Sequence, residues 1–146
     1  MSFLSSFDIS AAGMSVEKVR ADIASANLAN MHTTRTAKGG PYQPMRAVVM
    51  TGAPGAASFE SSMAAAGLAA SRPQVTIQSA DMAVRMVHEP EHPDANDKGF
   101  VAYPNINHLA EMVSLMEATR AYEANVSAFK SARSMALKAL EIGGRS

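Results

Sequence analysis

No cysteine and no tryptophan occur among the 146 residues, and aromatic side chains make up only 5% of them. Without cysteine there is no disulfide, no thiolate nucleophile and no cysteine-ligated zinc, and the chain suits an oxidising compartment as well as a reducing one. An excess of either charge is missing too: 13 Lys and Arg balance 13 Asp and Glu. No basic stripe of the kind that displaces counterions from phosphates is present, so no nucleic-acid partner is expected. No apolar run approaches the roughly 18–20 residues that cross a bilayer, so membrane insertion is not expected either. Neither Lys nor Arg precedes Lys18, and the first residues hold no continuous apolar segment. A cleaved secretory signal is therefore not expected, and export would need another route. There is no glycine-rich phosphate loop, since Gly39-Gly40 runs into Pro41 and reads as a turn. No serine sits in a nucleophile elbow.

What is present divides the chain into three zones, set at 1–35, 36–105 and 106–146. The first holds a helix over about Ser5–Asn30, with Ser5 and Asp8 in a capping-box-like spacing. Ile9, Val16 and Ile23 recur every seven residues beside Ala12, Val19 and Ala26, a short coiled-coil-type seam. Phe7, Met14, Ala21 and Leu28 form a second row on nearly the opposite side, which suggests a helix enclosed by others. The middle zone contains all seven prolines. It carries strand-like runs at Ala47–Met50, Val75–Gln78, Met82–His88 and Phe100–Ala102. Between the first two, Gly52–Ser71 is an Ala/Gly/Ser-rich loop in which Ser61–Ala70 could form a short helix.

The third zone predicts a helix from about Asn107 to Ile142, ended by Gly143-Gly144 and capped at its start by Asn105 or Asn107. At 1.5 Å per residue it would be a rod of roughly 54 Å. Leu115, Tyr122, Phe129 and Ala136 take one seam position; Ala118, Asn125, Ala132 and Ala139 take the next. Small residues along the second row allow close helix approach, and Asn125 within it could fix register. Met112, Val126 and Leu140 widen the apolar face on one side. The whole reads as α+β, with long N- and C-terminal helices pairing in a coiled-coil-like bundle around a small irregular β-rich middle. Apolar rows on several faces of the terminal helices predict ends that are partly disordered in an isolated monomer.

One stretch suggests chemistry. His88-Glu89-Pro90-Glu91-His92 matches H-E-x-x-H, the zinc-hydrolase pattern in which two His one helical turn apart bind metal and Glu acts as base. That chemistry needs a helix, and Pro90 and Pro93 forbid one. A proline-stiffened loop between strands is the preferred reading. Glu91, His92, Asp94 and Asp97 lack the regular alternation of a calcium loop and read as a solvated turn.

Three segments carry a resemblance. Ser25-Ala26-Asn27-Leu28-Ala29-Asn30, followed by Gly40-Pro41-Tyr42, is similar to the Asn-Leu-Ala-Asn signature that closes the N-terminal helix of rod and hook proteins. His92-Pro93-Asp94-Ala95, Gly99-Phe100-Val101 and Tyr103-Pro104-Asn105-Ile106-Asn107 form the second. Glu111-Met112-Val113, Met116-Glu117-Ala118, Arg120, Tyr122-Glu123-Ala124-Asn125-Val126 and Ala139-Leu140-Glu141-Ile142-Gly143 form the third. Together they resemble the flagellar axial-protein family, and within it the proximal-rod proteins, over about Ser5–Gly40 and Val75–Gly143. The resemblance implies a non-catalytic subunit of the basal-body rod, without cofactor, exported through the flagellar type III apparatus. It implies polymerisation in the periplasm with further copies and with other rod and basal-body components, the terminal helices forming the inner tube. The residues expected to carry assembly are Ile9, Val16, Val19, Ile23, Asn27, Leu28 and Asn30, and Met112, Met116, Arg120, Tyr122, Asn125, Val126, Phe129 and Leu140. Arg120 would contact a neighbouring subunit or pair with Glu117 on its own helix. The rival readings are another type III-exported needle or coiled-coil protein and, more remotely, a zinc hydrolase using His88, Glu89 and His92.

Overall fold

The computed structural model describes residues 3–50 and 73–144. The fold is α+β. Helix α1 spans Phe3–Ala29 and helix α2 spans His108–Gly143. Four short strands lie between them in sequence: β1 Met45–Met50, β2 Gln74–Ser79, β3 Arg85–His88 and β4 Phe100–Tyr103. They make two two-stranded sheets, β1 with β2 and β3 with β4. All four expected strands form, each within a few residues of its expected bounds. The expected loop at Gly52–Ser71, with its optional helix at Ser61–Ala70, lies outside the described residues.

Helix ends follow local chemistry. Asn107 caps α2: its side-chain Oδ1 accepts from Ala110 N at 3.2 Å, and its carbonyl accepts the first helical bond, from Glu111 N at 3.0 Å. Pro104, fixed in φ and buried, stands just before this start. α1 ends as Asn30 Nδ2 donates to the Ala26 carbonyl at 2.9 Å, while Asn30 Oδ1 accepts from Thr33 Oγ1. The chain then turns through Thr36–Gly40, where Gly39 and Gly40 both adopt positive φ (84° and 74°), a conformation that favours glycine. Thr36 N donates to the Gly40 carbonyl and Tyr42 N to the Thr33 carbonyl, so the loop closes on itself before β1.

Two compact units are distinguished, and each helix contributes to both. One comprises Met1–Val19, Val49–Thr76 and Ala118–Ser146; the other comprises Arg20–Val48 and Ile77–Glu117. In the first unit the helices run antiparallel. Phe7 meets Phe129 edge to face with ring centroids 5.0 Å apart, and Gly13 lies against Asn125. Ala118 and Ala132, buried here, flank Asn125 at seven-residue intervals, so the small-residue row is where α2 faces α1. In the second unit Asn27 of α1 bonds Glu111 of α2. There β3 and β4 pair antiparallel with Arg85 opposite Tyr103 and His88 opposite Phe100. Val101 is fully buried, while Met86 and Phe100 on the other face of this hairpin are exposed.

The seam on α1 is less apolar than periodicity implies. Val16 and Ile23 are buried as expected, but Ile9 is 63% exposed, and the polar Ser10 and Asn27 are buried instead. Ser10 satisfies itself locally by donating to the Ser6 carbonyl at 3.0 Å.

Candidate assembly faces

In the second unit the Asn-Leu-Ala-Asn segment holds the densest polar arrangement. Asn27 is 1% exposed, and its amide uses its full hydrogen-bonding capacity. Nδ2 donates to the Met45 carbonyl at 3.0 Å and to Glu111 Oε2 at 3.3 Å. Oδ1 accepts from Met45 N at 3.0 Å and from the Tyr42 hydroxyl at 3.0 Å. One side chain thus ties α1 to the loop before β1, to the first residue of β1 and to α2. Tyr42 is pushed above the ordinary tyrosine range, first by burial and then by the negative charge of Glu111. Asn27 therefore serves this chain's own packing, its amide bonded within the chain. Asn30, half-buried, caps α1, and Leu28 is half-buried. Spacing alone does not single out Tyr42 and Glu111 as partners of this amide. The signal that could have found them is Asn27 itself, because a buried amide must find partners for two donors and two acceptor sites.

Also in this unit, Met112 and Met116 are exposed, at 42% and 51%, with Leu109 and Val113 beside them. These four positions follow i, i+3, i+4 and i+7 spacing and form a single apolar stripe along the start of α2. It has no cover among the described residues.

In the first unit Val16 is buried, Val19 and Val126 are half-buried, and Phe129 is half-buried against Phe7. Asn125 is half-buried, with Nδ2 donating to the Ala121 carbonyl at 2.9 Å, and its amide fills the space left by Gly13. Ile9, Arg120, Tyr122 and Leu140 are exposed. Arg120 makes no ion pair among the described residues, with Glu117 or otherwise. The fifteen expected residues thus separate into a group covered within the chain and a group, including Ile9, Met112, Met116, Arg120, Tyr122 and Leu140, that faces outward.

The H-E-x-x-H stretch is no helix. His88 ends β3, and Glu89–Pro93 turns. His88 packs edge to face on Phe100 at 5.0 Å, and His92 Nδ1 accepts from Asp94 N at 3.1 Å. Glu89 Oε2 accepts the Tyr103 hydroxyl at 2.8 Å, and this bond is the main cause holding Tyr103 above the ordinary tyrosine range. Gly99, at φ 74°, lets the turn close: a Cβ there would lie 3.1 Å from Pro90 Cβ. No group of three His, Asp or Glu close enough to share a metal occurs among the described residues. No described helix is long and apolar enough to cross a membrane.

An outward apolar stripe on a long helix, with polar bonds spent on internal ties, is the geometry of a structural subunit. The family described as Flagellar basal body rod FlgEFG protein C-terminal matches residues 97–142, which cover β4 and nearly all of α2. At nearly full length the chain is 39% identical to the flagellar basal-body rod protein FlgC of Bacillus subtilis (strain 168), covering 98% of this chain and 99% of that protein. It is 32% identical to the FlgC of Borreliella burgdorferi (97% and 98% covered) and 34% identical to that of Escherichia coli O157:H7 (98% and 99% covered). The chain belongs to the family of flagellar basal-body rod proteins FlgC.

Proposed function

We infer that the chain is a structural subunit of the flagellar basal-body rod, built into it through the outward faces of α1 and α2 and performing no reaction. The observation that carries this reading is the apolar stripe Leu109, Met112, Val113 and Met116, exposed on a helix whose Glu111 is tied inward to Asn27. A lone globular domain buries such a stripe, and leaving it bare is explained if a neighbouring helix covers it in the rod. In the other unit, taken by itself, Ile9, Tyr122 and Leu140 are exposed apolar side chains, with Arg120 as a polar contact. The neighbours are further rod subunits, of this chain or of related ones. The subunit reaches the periplasm through the flagellar export apparatus, and neither nucleic acid nor a lipid bilayer is a partner.

Met116→Asp and Tyr122→Asp test the reading, since both side chains are exposed and their replacement leaves the folded chain intact. Cells carrying either variant as the sole copy should export the protein yet form at least tenfold fewer complete basal bodies by electron microscopy. Normal rods and normal swimming in both variants would overturn the reading. The remote hydrolase reading has no observation in its favour, and stoichiometric zinc in the purified protein is the result that would revive it.

A further inference from the structure

We propose that Met112 and Met116 make the outward stripe of α2 sensitive to peroxide, oxidation of their thioethers leaving a chain that cannot enter the rod. This inference rests on the assembly reading above and adds a form of control to it. Thioether sulfur is the reactive atom of an otherwise inert apolar side chain. A hydroperoxide transfers one oxygen to it: the O–O bond breaks, an S–O bond forms, sulfur loses two electrons, and the peroxide leaves as water or alcohol. The product is a methionine sulfoxide, polar where the parent was apolar.

Position decides the consequence. The chain has 11 methionines. Met14, Met31, Met45 and Met82 are half-buried, while Met50, Met86, Met112, Met116 and Met135 are exposed. Met50 lies on β1 and Met86 on β3, neither of them on a helix. Met135 stands further along α2, with Ser131, Ala132, Lys138 and Ala139 one turn away, outside the stripe of Leu109, Met112, Val113 and Met116. Among the exposed methionines, Met112 and Met116 alone stand one turn apart within an apolar stripe, together with Leu109 and Val113. A neighbouring helix packed on that stripe would bury the sulfoxide oxygens against the apolar side chains of Leu109 and Val113, desolvating an acceptor where the parent thioether had none to lose. The same packing would shield the two sulfurs once a subunit is in place, so the sensitivity belongs to subunits awaiting assembly.

Two measurements test the proposal. Peptide mass spectrometry of the full chain after brief hydrogen peroxide treatment should show sulfoxide at Met112 and Met116 at least threefold faster than at Met14 and Met45. Cells carrying wild type or Met112→Leu/Met116→Leu are then given a sublethal peroxide pulse, and new basal bodies are counted relative to each strain's own untreated level. The wild type should fall severalfold further than the Leu pair, because the comparison isolates two sulfurs from all other targets. Equal losses, or slow oxidation at both positions, would overturn the proposal. Met112→Gln/Met116→Gln separates the two readings. If that polar pair assembles normally, the assembly face is wrong; if it fails to assemble while the oxidation results are negative, only the redox proposal falls.

Discussion

The side-chain amide of Asn27 pairs with the main chain of Met45 as an adjacent strand would, donating to its carbonyl and accepting from its N–H, both at 3.0 Å. This places the first residue of β1 against the last turns of α1 and leaves neither backbone group of Met45 unpaired. Asn27→Asp keeps the shape but removes both Nδ2 donors and sets a second carboxylate beside Glu111. Loss of buried hydrogen bonds and an orphaned acceptor cost about 1–3 kcal/mol, and the charge adds to it. Asn27→Asp should therefore destabilise the chain by about 3 kcal/mol in denaturant unfolding. A change below about 0.5 kcal/mol would mean that the amide is not the tie described here.

Gly13 and Asn125 make a second coupled pair. A Cβ at Gly13 would lie 2.8 Å from Asn125 Oδ1 and 3.0 Å from its Cγ, too close for the amide to stay in place. Alanine in a helix interior gains about 1 kcal/mol over glycine, whereas displacing Asn125 from the Ala121 carbonyl forfeits a bond of about 1 kcal/mol. Gly13→Ala alone should be nearly neutral. In an Asn125→Ala background the same substitution should stabilise by about 1 kcal/mol, because nothing remains to be displaced. A double-mutant cycle by thermal unfolding measures this, and strict additivity would contradict the contact.

These two pairs show where sequence reasoning reached and where it stopped. Heptad rows located both helices, and the row of Ala118, Asn125 and Ala132 identified the side of α2 that α1 covers. Asn107 as the cap of α2, and the proline-stiffened turn in place of a zinc helix, were legible because cap and proline chemistry are local. Periodicity failed at Ser10 and Asn27, which are buried without being large and apolar, and at Ile9, which is apolar without being covered. Whether an apolar row meets its own chain or a neighbour is a long-range property, absent from residue spacing. That is why Val16, Ile23 and Asn27 stood beside Met112 and Met116 among the expected assembly residues, although the former are covered internally.

Alkaline pH should weaken the second unit through Tyr42. Its folded pKa lies above the ordinary value of about 10, so the folded chain holds this proton more tightly than the unfolded chain does. The stabilisation is fully present below pH of about 10 and is lost as pH rises through the folded pKa. Tyr103, raised chiefly by its bond to Glu89, acts in the same direction. The unfolding midpoint should fall as pH rises above about 10. Tyr42→Phe should flatten part of that fall, while costing about 1 kcal/mol at neutral pH for the bond to Asn27 Oδ1. An equally steep fall in Tyr42→Phe would assign the effect elsewhere.

The far end of α2 should be the least protected part of the helix. Beyond Ala132 no residue of α2 is buried among those described, and Leu137, Leu140 and Ile142 are all exposed, Ile142 at 77%. Helix propensity alone holds such a segment weakly, because nucleated turns without tertiary cover fray from the terminus. Amide hydrogen exchange on the dilute monomer should give residues 136–143 rates at least tenfold above those of residues 118–132. Truncation after Ala136 should then change thermal stability by less than about 1 kcal/mol, since few native contacts are removed. If these apolar side chains await a neighbour in the rod, the same truncation should still abolish assembly. Uniform protection along α2 in the monomer would show instead that its last turns are covered by the chain itself.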